Sequence, residues 1–98
     1  MTEGAAQIAG DAVPCLPRGV RLHEDRVRGK TVLLAPERVL DLDPVGLAIL
    51  GQIDGQRNMR AIIDSLAELY DAPAERIAGD VQDYIGGLLD RRILEISP

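Results

Sequence analysis

The hydrophobic pattern of this chain changes period at one point, and that change constrains the fold more than any other feature. Before Asp43-Pro44, apolar and polar residues alternate, as in Val20–His23, which is typical of a β-strand with one buried face. After Asp43-Pro44, apolar residues recur every three or four positions, which is typical of α-helices that pack on one side. A run of strands followed by a run of helices predicts an α+β domain.

Three short strands are predicted in the first half of the chain. The first begins at Arg18 and includes Val20–His23, and the charged segment Glu24–Lys30 forms the turn of a hairpin. The second is Thr31–Ala35, and after a turn at Pro36–Arg38 the third is Val39–Leu42. Consecutive strands with short connections form a three-stranded antiparallel sheet, and one of its outer strands must be an exposed edge.

The first of three predicted helices begins directly after the strands. Asp43 is the expected N-cap, and Pro44 suits the first helical position. The helix is expected to reach about Ile53 and to be deeply buried, because its residues are apolar nearly all round. Gly55 is expected to close it in the left-handed conformation.

Two amphipathic helices follow. Asn58 is the predicted N-cap of the second, whose apolar stripe ends at Tyr70. The third is predicted from about Ala74 to Arg92. Its glycines are Gly79, Gly86 and Gly87. Each glycine lowers the stability of the helix by about 1 kcal/mol relative to alanine. A close approach of another part of the backbone would explain these glycines, and so would positions on the solvent side of the helix, where glycine is tolerated.

The two ends of the chain have weaker signals. Residues 1–17 are small and weakly polar without a sustained period, so a mobile arm is expected; docking of Ile8, Val13 and Leu16 on a neighbouring subunit is the alternative. These residues form neither a signal peptide nor a membrane span, which predicts a cytoplasmic protein without membrane contact. Ile93–Ile96 is expected to be extended against the sheet.

The residue types that carry catalysis or bind metals are scarce. Cys15 and His23 are single residues of their kind, which excludes an internal disulfide and disfavours a transition-metal site. Asp41 and Asp43 form a carboxylate pair, but a strand face and a helix cap account for them better than acid–base chemistry. The sequence therefore predicts neither an enzyme nor a bound cofactor or metal.

A winged helix-turn-helix-like arrangement is compatible with this order of elements, so DNA binding is an alternative. DNA readers need positive charge along the recognition helix, because phosphate contacts supply most of the affinity. The third predicted helix has four acids and three bases, a net charge of −1, and the whole chain has a formal charge of −5. This charge disfavours nucleic acid as a partner.

At this point several runs closely resemble the pyrroloquinoline quinone (PQQ) biosynthesis protein D family. The runs are Arg18–Lys30, Val32–Leu40, Leu42-Asp43 leading into Gly46 and Ile49-Leu50, Asp54-Gly55, and Tyr70–Pro73. The most distinctive stretch is Leu34–Glu37, and the resemblance covers roughly residues 18–96. It implies a winged-helix-like domain over residues 18–96 that recognises a ribosomally made precursor peptide.

The resemblance also implies a mode of action. Such modules present the PQQ precursor peptide to a radical S-adenosylmethionine (SAM) enzyme, and the peptide adds as a strand beside the third strand, in a groove walled by the third helix. The predicted exposed edge agrees with this, because strand addition needs unpaired backbone groups. The third strand, Val39–Leu42, and Arg38 just before it are thus the predicted peptide-binding residues of the sheet.

Side chains on the third helix are predicted to complete the site, because backbone hydrogen bonds alone give too little affinity. Tyr84 and Leu88 are the candidate apolar anchors, with Asp80 and Arg91 on the same side to select charge. Ordinary core or rim positions would explain these residues equally well. A structural subunit that stabilises the radical SAM enzyme is a further alternative, and the exposed edge would also suit a homodimer.

Overall fold

The computed structural model describes residues 8–97, which form an α+β domain with a three-stranded antiparallel sheet followed by three helices. The predicted fold class is confirmed. In chain order the elements are β1 (Pro14–Cys15), β2 (Arg21–Asp25), β3 (Lys30–Ala35), β4 (Arg38–Asp41), α1 (Pro44–Gly51), α2 (Met59–Tyr70), α3 (Ala74–Asp90) and β5 (Glu95–Ile96).

The main sheet has the strand order β2-β3-β4, with both pairs antiparallel. Leu22, Leu33 and Leu40 are paired in register across the three strands, and Leu33 is fully buried in the core. Residues in this register share one face, because side chains alternate along a strand. Within residues 8–97, β4 pairs only with β3, so its outer edge is open.

The two hairpin turns follow local backbone preferences. The Asp25 carboxylate accepts hydrogen bonds from the backbone N–H groups of Val27 (3.1 Å) and Arg28 (3.2 Å), and Gly29 takes a φ of 69°. In the second turn Glu37 is left-handed at a φ of 61°. Arg38 is the first residue of β4 rather than part of the turn, so the predicted strand moves by one residue.

Helix α1 begins as predicted and ends differently. The Asp43 side chain accepts a 2.7 Å hydrogen bond from the Gly46 N–H, but the C-cap is Gln52 in right-handed geometry, and Gly55 takes its positive φ in the following turn. The expected all-round burial is wrong, because Val45 and Leu47 are 51% and 37% exposed. A short helix at the margin of the core buries only one face.

Helices α2 and α3 match their predicted apolar stripes. The Asn58 side chain caps α2 by accepting a bond from the Ala61 N–H, and Asp71 ends it in left-handed geometry. The core consists of aliphatic residues from β3, the three helices and the segment after α3, with Met59 and Val20 among them. Its fully buried large side chains include Leu33, Ile49, Leu50, Met59, Ile62, Leu66, Val81 and Ile85.

The predicted arm over residues 1–17 differs from the structure wherever the structure describes it. Residues 1–7 lie outside the described part, but Ile8, Ala12 and Leu16 pack against the core of their own chain. The backbone carbonyls of Ala12 and Gly10 accept bonds of 2.9 Å from Met59 and Arg60, the first two residues of α2. These carbonyls satisfy N–H groups that no helix can pair internally, which explains why the segment is ordered.

The C-terminal segment is extended only over Glu95–Ile96, because Ile93 and Leu94 lie in a bend after α3, and it does not join the three-stranded sheet. Instead β5 pairs antiparallel with β1, with Pro14 opposite Ile96 and Cys15 opposite Glu95. Ile93 and Leu94, just before it, are buried in the core. β1 and β5 thus form a second, two-stranded sheet. Between residues 8 and 97, no helix has the length and hydropathy needed to span a membrane.

Candidate functional site

A basic cavity lies where β4 begins. Arg38 and the two arginines at the end of α3, Arg91 and Arg92, line a cavity of about 220 Å³. Its remaining walls are apolar, with Val20, Ala35, Pro36 and Ile93. Arg38 faces this cavity because it shares the inner face of the sheet with Leu40. The structure therefore brings together Arg38 and Arg91, two of the predicted site residues.

An acidic cavity lies just beyond the other end of β4. Asp43, Asp80, Asp83 and Tyr84 line a space of about 460 Å³ together with Val45 and Ile49 of α1. Asp80 and Tyr84, two further predicted site residues, are thus neighbours here. Asp83 and Asp43 were not predicted as site residues. Asp43 had a sufficient explanation as a helix cap, and the sequence carries no signal that the end of β4 meets α3.

The two cavities define how α3 lies relative to β4. The start of β4 is beside the C-terminal end of α3, and Asp43, after the end of β4, is beside the middle of α3. From Arg38 to Asp43 an extended chain spans about 16 Å, and from Asp80 to Arg91 a helix rises about 16 Å. We therefore take the open edge of β4 and the matching length of α3 as the two sides of one candidate groove.

One stripe of α3 carries the residues that reach both cavities. At about 100° per residue, Asp80, Tyr84, Gly87 and Arg91 fall within an arc of about 60°. A methyl group placed on Gly87 would meet no atom within 4 Å. The surface of α3 is therefore open at Gly87, which lies along the helix between Tyr84 and Arg91. Sequence reasoning did not single this glycine out from the other two.

The side chains of β4 divide between the two faces of the sheet. Leu40 and, just after the strand, Leu42 are partly buried against the core. Val39 is 61% exposed, and Asp41 is exposed on the same outer face. A strand added to this edge would meet Leu40 and Leu42 on one side and Val39 on the other, because its side chains also alternate.

Leu88 takes a different place from the other candidates. It is 6% exposed and belongs to the same core as Ile85, Ile93 and Leu94. It supports the wall of the groove from behind and offers a ligand little surface. The apolar stripe of the sequence includes Leu88 and Tyr84 alike, so the pattern could not separate a core position from a groove position.

Tyr84 is held closely against the start of α1. Its hydroxyl is the atom nearest to where a methyl group on Gly46 would lie, at a distance of 2.5 Å. Burial, and secondarily the negative charge of Asp43, raise the pKa of the Tyr84 hydroxyl. The phenol therefore keeps its proton through the neutral range and can donate a hydrogen bond into the acidic cavity.

Asp41 is tied to the β2-β3 hairpin. Lys30 Nζ lies 2.9 Å and Arg28 Nη1 3.7 Å from its Oδ1. The hydrogen bond from Lys30 and the attraction of the same lysine, with a smaller effect of Arg28, lower the pKa of Asp41. These contacts fix the outer face of β4 to its neighbour without occupying the open edge.

Replacing Lys30 by alanine is expected to raise the pKa of Asp41 towards its ordinary value, because its main partner is lost. Arg28→Ala should raise it less. In the folded wild type this pKa is depressed, so the pair contributes stability above the ordinary aspartate pKa and loses it as the pH falls through the folded value. NMR titration of the Asp41 carboxyl carbon measures both shifts. An unchanged pKa in Lys30→Ala would contradict the assigned contact.

Catalytic groups do not converge at either end of the groove. His23 is exposed on the outer face of β2, in register with Val32 of β3, away from both cavities. Among residues 8–97 no three His, Cys, Asp or Glu side chains are arranged to hold a metal ion. The arrangement combines an open strand edge, apolar walls and charges of opposite sign at the two ends, which are features of a binding surface for an extended chain.

Comparison with known proteins identifies the family. The family model described as coenzyme PQQ synthesis protein D (PqqD) matches residues 30–94. The PqqA binding protein of Rhizobium meliloti is 52% identical over 96 residues, which cover 98% of each chain. The bifunctional coenzyme PQQ synthesis protein C/D of Methylorubrum extorquens is 46% identical over 87 residues, 89% of this chain and 23% of that longer protein.

Two solved structures are also similar. One is the solution structure of the PqqD part of Methylobacterium extorquens PqqCD. It is described as a functional, stand-alone recognition element for ribosomally synthesised and post-translationally modified peptides (RiPPs). It has a TM-score of 0.74 and 46% identity, and the match covers 89% of this chain and 93% of that one. The crystal structure of PqqD from Xanthomonas campestris has a TM-score of 0.57 and 41% identity, covering 90% and 98%. With a family match over most of its length and a full-length relative above 50% identity, this chain belongs to the PqqD family.

Proposed function

We propose that this chain is a non-catalytic peptide chaperone of PQQ biosynthesis, which binds the ribosomal precursor peptide PqqA and presents it to a radical SAM enzyme in the cytoplasm. The names of its relatives, PqqA binding protein and RiPP recognition element, support the binding role. The fused C/D protein of Methylorubrum extorquens supports an association with enzymes of the same pathway.

The observation that carries the proposal is the open edge of β4 opposite α3. The peptide adds to this edge as a fourth strand and lies in the groove between β4 and the stripe of α3 that contains Asp80, Tyr84, Gly87 and Arg91. Backbone hydrogen bonds to β4 give a sequence-independent contribution, and the two cavities receive side chains of the peptide.

Side-chain contacts are necessary for this mode of binding. Four or five backbone hydrogen bonds at about 0.5–1.5 kcal/mol each barely offset an association cost upwards of about 4 kcal/mol. Val45, 51% exposed at the acidic cavity, and Tyr84 beside it supply apolar area at one end. Ala35, Pro36 and Ile93 do so at the other. Each fully buried apolar side chain of the peptide would add about 1.5–3 kcal/mol.

Titration of the ¹⁵N-labelled protein with the precursor peptide tests the proposal. We expect the amides of Val39–Asp41 and of Gly87 to shift, and the β4 amides to become protected from exchange because they gain partners. Shifts induced by duplex DNA in place of the peptide would favour the DNA-binding alternative. Binding to the radical SAM enzyme without any response to peptide would favour a purely structural subunit.

A matched pair of glycine variants tests the location of the groove. Gly87→Leu is expected to weaken peptide binding at least tenfold, because its side chain fills the space beside β4. Gly79→Leu is the control, since Gly79 is in the same helix, is exposed, and has equally open surroundings away from the stripe. Both changes should raise stability by up to about 1 kcal/mol through helix propensity. Equal binding by the two variants would place the peptide elsewhere.

A further inference from the structure

The ends of the candidate groove are oppositely charged, and this difference bears on which peptides it accepts. The cavity at the start of β4 has three arginines and no carboxylate in its lining, whereas the cavity beyond the other end has three aspartates and no base. A groove with a positive and a negative end recognises a segment by its charge order as well as by its shape.

Within the part of the chain that the structure describes, no ion pair neutralises these charges, although Asp43 also caps α1. There, the ion pairs involve Arg28, Lys30 and Arg57, and none of the cavity arginines has a carboxylate within 4.0 Å. On the acidic side, Asp80 and Asp83 likewise have no cationic side chain of residues 8–97 within 4.0 Å. Like charges gathered without counter-charges destabilise a folded chain slightly, so a complementary ligand would relieve that repulsion.

We propose that the groove selects an extended peptide segment in which a basic and an acidic side chain lie about three to six residues apart. The acidic side chain contacts Arg38 and Arg91, and the basic one contacts Asp80 and Asp83 beside the Tyr84 hydroxyl. This inference rests on the proposed function, since it assigns the charge pattern of the peptide in the same groove.

The spacing follows from the geometry of α3. The rise from Tyr84 to Arg91 is about 10 Å, and from Asp80 to Arg91 about 16 Å. An extended chain covers these lengths in about three to five residues, and long basic side chains add reach for about one more. The order of the basic and the acidic residue along the peptide is then related to the direction in which the peptide runs beside β4. A segment antiparallel to β4 places its basic residue first, because β4 itself runs from the basic cavity to the acidic one.

Charge exchange between protein and peptide tests the proposal. Arg91→Glu and Asp80→Lys each replace an attraction by a repulsion, so each should weaken binding of the precursor peptide about three- to thirtyfold at low salt. The probes are precursor peptides in which each acidic residue is changed to lysine, and each basic residue to glutamate, one at a time. One acidic-to-lysine peptide should restore affinity for Arg91→Glu, and one basic-to-glutamate peptide should restore it for Asp80→Lys.

The two restoring positions are expected three to six residues apart, with the basic one nearer the peptide N-terminus. Asp64→Lys on α2 and Arg76→Glu at the start of α3 are exposed controls that line neither cavity, and they should change affinity less than twofold. The unfolding midpoint of each variant is measured to check that the variant folds. If the peptide binds and no exchange restores affinity, this inference is overturned. If the wild-type precursor peptide causes no shifts of the β4 amide signals in the wild-type protein, the proposed function itself fails.

Discussion

Deleting residues 1–13 is expected to lower the free energy of unfolding by about 2–4 kcal/mol, relative to a chain that lacks only residues 1–7. The lost contacts connect parts of the chain that are far apart in sequence. Ile8 exchanges two hydrogen bonds with the Gln82 side chain, of 2.8 Å and 2.7 Å, and the Val13 carbonyl accepts a 2.8 Å bond from Ser97. The first two N–H groups of α2 lose the carbonyls that cap them.

The expected loss in the free energy of unfolding is the sum of two opposing contributions. Five hydrogen bonds contribute about 0.5–1.5 kcal/mol each, and the burial of Ile8 adds to them. The conformational entropy that the longer chain loses when residues 8–13 become ordered offsets part of this stabilisation. For a domain of this size the loss corresponds to a fall in Tm of roughly 10–25 °C. Thermal and urea unfolding followed by circular dichroism measure it. Equal stability of the two truncated chains would show that the segment 8–13 is a loose arm, as its composition predicts.

This segment shows what the sequence could not predict. Residues 8–13 have no periodic pattern, and most of their contacts use the backbone groups of Ile8, Gly10, Ala12 and Val13. Every residue has a backbone carbonyl, so contacts made by these groups leave no signal in the residue types. The composition therefore indicated a mobile arm, although the first N–H groups of α2 bind the carbonyls of this segment. The pairing of β1 with β5 was hidden for a related reason, because two-residue strands are too short for alternation to be seen.

The elements with strong periodicity could be predicted nearly to the residue. Asn58 and Met59–Tyr70 are the cap and span of α2 in the sequence and in the structure alike. The candidate site was predictable in part. An edge strand and a helix stripe follow from periodicity, but the position of α3 relative to β4 follows from packing. That packing places Arg92, Asp43 and Asp83 at the cavities and Leu88 in the core.

Replacing Gly46 by alanine is expected to lower the free energy of unfolding by about 1–3 kcal/mol and to weaken peptide binding. The added methyl group would lie 2.5 Å from Tyr84 Oη, 2.9 Å from its Cζ and 3.1 Å from Asp43 Oδ1. Neither neighbour can stay in place, so overpacking and a strained N-cap outweigh the gain of about 1 kcal/mol in helix propensity. Urea unfolding measures the loss, and peptide titration measures the effect of moving Tyr84.

Gly51→Ala provides the matched control, because it lies in the same helix and an added methyl group would meet no atom within 4 Å. It should keep peptide affinity and raise stability slightly. Combining Gly46→Ala with Tyr84→Phe should recover only part of the loss, since the ring carbon at 2.9 Å remains after the hydroxyl is removed. Full recovery would attribute the clash to the oxygen alone. Additive losses in the double variant would show that Gly46 and Tyr84 do not interact, and Tyr84 would then be positioned by α3 itself.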